Sequence, residues 1–187
     1  MRLILLGPPG VGKGTQANRL KKYFNILHFS TGEILRSEVK SESEIGRKAQ
    51  TYLDAGKLVP DSILLKMMEQ RLSQKDCIPG YLLDGFPRTI PQAEGLDQIL
   101  DQIQHDLNAV VSLTADKEEL VNRLVLRGID SGRSDDTPEI ILRRQKIYWE
   151  QTAPLINYYQ KPGLVKEVNG IGEIPKITER IIKILQQ

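Results

Sequence analysis

The chain has 187 residues, with 26 Lys and Arg against 24 Asp and Glu, a formal charge of +2, and 40% hydrophobic and 27% charged side chains. That balance allows one domain with an insertion or two around a real core, and excludes the strongly basic profile of a nucleic-acid binder. A lone Cys77 excludes a disulfide framework and a cysteine-built zinc site and fits a reducing compartment, and no stretch approaches the length of a membrane span.

Leu3, Ile4, Leu5 and Leu6 form an apolar run that stops at Gly7, as expected of a buried parallel strand entering a tight turn. The apolar stretch before Gly7-Pro8-Pro9 is too short for a secretory leader, so a cytoplasmic location is expected. Gly7, four residues, Gly12 and Lys13 have the spacing of a phosphate-binding loop, in which backbone N–H groups and a helix N-terminus converge on an anion and the lysine reaches its outer phosphates. Glycine there permits positive φ and close backbone approach. The generic pattern has Ser or Thr directly after the lysine, but here Gly14 intervenes before Thr15. The helix from Lys13 turns Ala17 and Leu20 to one side and Lys21 and Lys22 to the other.

A second strand is expected over Ile26 to Phe29, followed at Ser30 by a helix N-cap and a stripe of Ile34, Leu35 and Val39. Another short helix, Ser43 to Ala55, closes on Gly56. Pro60 ends the connection, and Asp61 is expected to cap a helix carrying Ile63, Leu64, Met67, Met68 and Leu72. The polar helices of 30–59 read as an inserted lobe. Tyr81 to Asp84 is a third strand whose acid falls at the carboxyl end, where open α/β sheets bind ligands. A helix from about Pro91 to Gln104, a strand over Ala109 to Leu113 and a helix from about Asp116 follow. That last helix carries Leu120, Val121 and Leu124 on one face and Arg123 and Arg127, four apart, on another. Gly128 to Asp136 has no periodicity and is expected to be a mobile loop. Thr137-Pro138-Glu139 starts a helix expected to run to about Tyr159. A strand over Leu164 to Val168 and a helix over Ile174 to Leu185 complete the pattern, and the alternation predicts a parallel, doubly wound α/β sheet.

GPPGVGKGTQ, STGEILR, GKLVP, LLDGFPRT with Gln92, RLVLRG, GRSDD and TAPLINYY occur in that order across nearly the whole chain, which resembles adenylate kinase in its short-lid form. The resemblance implies a P-loop NTPase-type five-stranded parallel sheet flanked by helices, with a core of 1–29, 60–126 and 137–187, a nucleoside-monophosphate lobe of 30–59 and a lid of 127–136. It implies reversible transfer of the terminal phosphoryl of MgATP to AMP, giving two ADP. By the same resemblance Gly10, Val11, Gly12, Lys13, Gly14 and Thr15 hold the ATP phosphates, with Thr15 near the magnesium and Asp84 holding its waters. Arg123 and Arg127 clamp ATP, and Gly172 touches its adenine. Arg36, Arg88, Arg133 and Arg144 gather around the AMP phosphate and the transferred group, while Thr31, the backbone of Lys57, Leu58 and Val59, Gly85 with Phe86 and Pro87, and Gln92 hold the rest of AMP.

The chemistry is consistent with those roles. Two polyphosphates repel each other, and their reaction needs positioning and charge neutralisation with no protein nucleophile, a task suited to one lysine and several forked guanidinium groups. The lid would complete the cage and exclude water. Among the other singled-out residues, Arg143 reads as a solvated neighbour, His28 and His105 as structural, and Trp149, Tyr158 and Tyr159 as core anchors. Asp135 and Asp136 either hold arginines or keep the lid polar. Thr31 and Gln92 weigh against a pyrimidine monophosphate kinase, and the base-reading signature of a GTPase switch does not occur. A binding module without catalysis would leave the arginines around two phosphate sites unexplained. No zinc, no nucleic acid, no membrane and a monomer are expected.

Overall fold

A computed structural model describes residues 1–131 and 137–187, with the side chains of Lys117 and of 127–131 outside the described set. Its strands are β1 (Arg2–Leu6), β2 (Leu27–Ser30), β3 (Tyr81–Asp84), β4 (Ala109–Thr114) and β5 (Val165–Asn169). They form one parallel sheet in the order β2-β3-β1-β4-β5. Helices α1 (Lys13–Phe24), α2 (Thr31–Lys40), α3 (Glu44–Asp54), α4 (Asp61–Leu72) and α5 (Ile90–Gln102) precede β4; α6 (Lys117–Ser131), α7 (Pro138–Ile147), α8 (Pro154–Gln160) and α9 (Ile174–Leu185) follow it.

The period of two along β1 decides how the layers form. Ile4 and Leu6 face one core with Phe29, Leu83 and Val110, covered by Leu64 and Met68 of α4, Leu96 of α5 and Leu155 and Tyr159 of α8. Leu3 and Leu5 face the other with Leu82, Val111 and Leu113, covered by Ala17 and Leu20 of α1, Leu120 of α6 and Ile177 and Ile181 of α9. Each of the four β1 side chains is at most 3% exposed, and burial of each contributes about 1.5–3 kcal/mol. A strand buried on both faces explains the unbroken apolar run.

Three expectations are corrected. The helix expected to run unbroken to Tyr159 is divided into α7, a π-helical turn over Tyr148–Thr152, and α8. Pro154 has no N–H to give the ladder, and the strain is taken up just before it by a widened bond from the Ala153 N–H to the Tyr148 carbonyl, 2.8 Å. Helix α6 runs through Gly128 to Ser131, where a loop was expected to begin: one glycine costs a helix only about 1 kcal/mol, too little to stop one already nucleated. The cap position of α4 is held by Pro60, and Asp61 makes no capping bond. Boundaries of β2, α5 and β5 also lie one or two residues from those expected.

Candidate active site

In the register of the sheet Asp84 stands beside Leu5 of β1 and Ser30 of β2, so Gly7, Asp84 and Ser30 leave the sheet at one edge. The loop after β1 has glycines at φ 143° (Gly7), 90° (Gly10) and 98° (Gly12). At Gly10 a Cβ would lie 2.6 Å from the Leu120 carbonyl, which leaves no room for any side chain. Helix α1 then begins on Gly12 with no side-chain cap and no acid in its first turn. By contrast α2, α3, α5 and α7 are capped by Ser30, Ser43, Thr89 and Thr137. The first N–H groups of α1 are thus left for an anion. Lys13 folds back over the loop, its Nζ donating to the carbonyls of Gly7 (2.7 Å) and Pro8 (3.1 Å).

Two clefts meet at this loop. The larger, about 660 Å³, is lined by Gly10 to Gln16, Asp84, Arg123 and Gly172, with Ile174 and Ile177 of α9 supplying apolar surface. The smaller, about 100 Å³, is lined by Leu53, Gly56, Lys57, Leu58, Gly85, Pro87, Tyr148 and Thr152. Pro9, Lys13, Gly32, Arg36, Arg88 and Arg144 line both. Four cations from the loop, α2, the β3–α5 turn and α7 therefore form a common wall.

Arg88 is held at three points. Its Nε donates to the Gly85 carbonyl (2.8 Å), its backbone N–H donates to Gln92 Oε1 (2.7 Å), and its carbonyl accepts from Thr152 Oγ1 (2.8 Å). The π-helical turn is what brings Thr152 there. Gly85 sits at φ 80°, and a Cβ would lie 2.8 Å from the Arg88 guanidinium and 3.0 Å from Thr31 Oγ1. Thr31 is buried and donates to the Gly85 carbonyl at 2.8 Å. Arg123 is tied to Glu119 (2.7 Å) and the Gly170 carbonyl (3.2 Å), joining α6 to the turn that carries Gly172.

Asp84 is 7% exposed. Burial pushes its carboxyl upward, but the His28 ring nitrogen at 3.6 Å, too far for a hydrogen bond yet close enough for attraction, and the Lys13 charge hold it below the ordinary carboxylate range. A Cβ on Gly14 would be 3.6 Å from its Oδ2. This buried carboxylate beside the phosphate loop, with the exposed Thr15 hydroxyl in the same cleft, is an oxygen donor set that fits magnesium carried in on a polyphosphate. Among the described residues no cluster of three His, Cys, Asp or Glu could hold a metal alone.

Not every singled-out residue lines a cleft. Thr31, Val59, Phe86 and Gln92 are buried behind the smaller one, whereas Val11 lines the larger with its side chain, 1% exposed, packed into the core beneath. The Arg127 side chain, and Arg133, Asp135 and Asp136, lie outside the described residues. Trp149 is 53% exposed and is not a core anchor: the π-helical turn shifts the register and sends the neighbouring Tyr148 inward instead. Tyr159 is buried, and Tyr158 donates to Asp97. Arg143 is not merely solvated, since it donates to the Ala55 carbonyl at 2.9 Å and so joins α7 to the end of α3. His105 meets the Tyr81 hydroxyl at the other end of β3. Sequence reasoning missed Gln145, whose Nε2 donates to the Pro9 carbonyl at 3.0 Å, and Thr152. Gln145 sits in no local pattern and Thr152 opens TAPLINYY without a role of its own there; only the fold brings them to the loop and to Arg88.

A family model described as adenylate kinase matches residues 5–164. Over the full chain the protein is 47% identical to an adenylate kinase of Kocuria rhizophila, covering 99% of that relative, and 47% identical to one of Stenotrophomonas maltophilia, covering all of it. It is also 45% identical to an adenylate kinase of Methanothrix thermoacetophila, covering 99% of its length. With the five-stranded parallel sheet and the two clefts on a common wall of cations, these matches mean that the chain belongs to the adenylate kinase family.

Proposed function

We infer that the larger cleft takes ATP and the smaller takes AMP, and that the enzyme passes the terminal phosphoryl across the wall they share, reversibly, giving two ADP. The observation that carries this is the position of Lys13, Arg36, Arg88 and Arg144 at the junction of both clefts. An oxygen of the AMP phosphate attacks the γ-phosphorus as the bond to the ADP leaving oxygen breaks. Negative charge on the moving group is met by Lys13 and the guanidinium groups, with no protein nucleophile required.

Backbone N–H groups of Gly10 to Thr15 cradle the ATP phosphates, and Arg123 and Arg127 clamp them. Gly172 and the apolar α9 surface receive the ATP adenine. Mg²⁺ bound with ATP supplies further neutralisation of the phosphate oxygens; Thr15 and, through water, Asp84 would hold it. Arg36, Arg88, Arg133 and Arg144 surround the AMP phosphate. Thr31, Lys57, Leu58, Val59, Gly85 with Phe86 and Pro87, and Gln92 form the rest of the AMP site. In this reading 30–59 is the AMP lobe and 127–136 the lid, on a core of 1–29, 60–126 and 137–187, and the lid excludes water that would otherwise hydrolyse ATP. The enzyme acts as a cytoplasmic monomer. A lone, buried Cys77 suits a reducing compartment, and among the described residues no helix is long and apolar enough to cross a membrane.

The test is to mix the chain with ATP, AMP and magnesium and follow ADP. ADP formed from ATP and AMP, and ATP and AMP formed when the chain is given ADP and magnesium alone, support the reading. Failure to form it, or UMP or CMP outperforming AMP as acceptor, overturns it.

A further inference from the structure

Asp61 opens α4 without capping it. Its carboxylate reaches across to the start of α5, where Gln92 Nε2 donates to Oδ1 at 2.7 Å and Thr89 Oγ1 to Oδ2 at 3.2 Å. Both partners matter to the acceptor side of the site. Thr89 Oγ1 accepts from the Gln92 backbone N–H as the N-cap of α5. Gln92 is fully buried, and its Oε1 accepts from the backbone N–H of Arg88 at 2.7 Å.

The two ends of the Gln92 amide are therefore not interchangeable. A carboxylate only accepts, so the nitrogen must face Asp61; a backbone N–H only donates, so the oxygen must face Arg88. One amide N–H and one oxygen lone pair are left. A donor beside an acceptor in that order complements the N1 acceptor and N6 amino group of adenine. The reverse order would complement guanine or uracil.

We propose that Asp61 is a positioning residue that sets acceptor specificity, by locking the Gln92 amide in the orientation that reads adenine. The proposal rests on the AMP reading of the smaller cleft and adds to it the residue that enforces the choice of base. An acid in the first turn of α4 would also favour that helix through its dipole, but such a role follows charge and is blind to the acceptor base.

Steady-state kinetics of the full chain with MgATP and AMP, GMP or UMP separate the two. Asp61→Asn is nearly isosteric and can present either an oxygen or an amino group, so the acceptor-only half of the lock is lost and the Arg88 N–H alone is left to orient the amide. It should raise KM for AMP about tenfold and lower the kcat/KM ratio of AMP to GMP about tenfold, the size of one charge-assisted hydrogen bond. KM for ATP should stay within about twofold. Asp61→Glu keeps an acceptor-only group and should retain the ratio within about threefold. In a Gln92→Ala background Asp61→Asn should leave the ratio unchanged. The proposal falls if Asp61→Asn keeps the parental ratio, lowers kcat/KM equally for every acceptor, or acts by the same factor without Gln92. A parental enzyme making no ADP from ATP and AMP would instead remove the AMP reading, and the proposal with it.

Discussion

Arg88 shows how much of a functional side chain is backbone engineering. Its guanidinium, N–H and carbonyl are each held, so its charge is aimed before any nucleotide arrives and little reorganisation is left for the reacting state. Arg88→Ala should lower kcat by about 10³ to 10⁵, roughly 4–7 kcal/mol of transition-state stabilisation. A coupled ADP assay showing less than a tenfold loss would contradict that role. Asp84 makes a different prediction. Its folded pKa lies below the ordinary value of 3.8, so it contributes stability that is present above that value and lost as pH falls through the folded one. Asp84→Asn should therefore have a flatter stability profile between about pH 5 and pH 2 than the parental chain, as followed by chemical denaturation. Parallel profiles would show that the carboxylate is not held in this way. Residues such as Lys13 and Arg88 were legible because strand, turn and helix signals adjoin them. Gln145 and Thr152 were not, since a glutamine and a threonine inside a helical pattern acquire meaning only from what lies across the fold.

Helix starts were legible for a local reason: Ser30, Ser43 and Thr137 each satisfy an N–H within three residues. Interruptions were less so. The cost of Pro154 could be read, but not whether the chain would end the helix or widen it, which depends on the Thr152 bond to a distant carbonyl. Asp61 misled similarly, because its better partners lie on α5. The α2–α3 pair is tightly constrained, with a Cβ on Gly46 falling well inside van der Waals contact distance of the Glu38 carbonyl. Gly46→Ala should cost about 1–3 kcal/mol of stability. Because the strain lies between α2 and α3, in the segment the proposed function assigns to AMP, KM for AMP should rise while KM for ATP does not. Equal changes in both would show that the lobe does not serve one nucleotide alone.

At the scale of the molecule, alternating apolar runs and helical stripes sufficed for a parallel sheet covered on both faces, because each buried β1 residue must choose one side or the other. The common wall was not legible as geometry. Residues 13, 36, 88 and 144 belong to four separate segments, and their meeting depends on the strand order, which puts β1 between β3 and β4.

The contacts of Lys13 bear on how anions are admitted. Nζ lies within hydrogen-bond reach of the Gly7 and Pro8 carbonyls, so the loop itself offers the ammonium oxygens, and capture of a phosphate is an exchange of oxygens instead of the quenching of an idle charge. Such an exchange favours ligands that offer several negative oxygens at once over a solitary small anion, which gives the loop a preference for polyphosphate chains before any base is read.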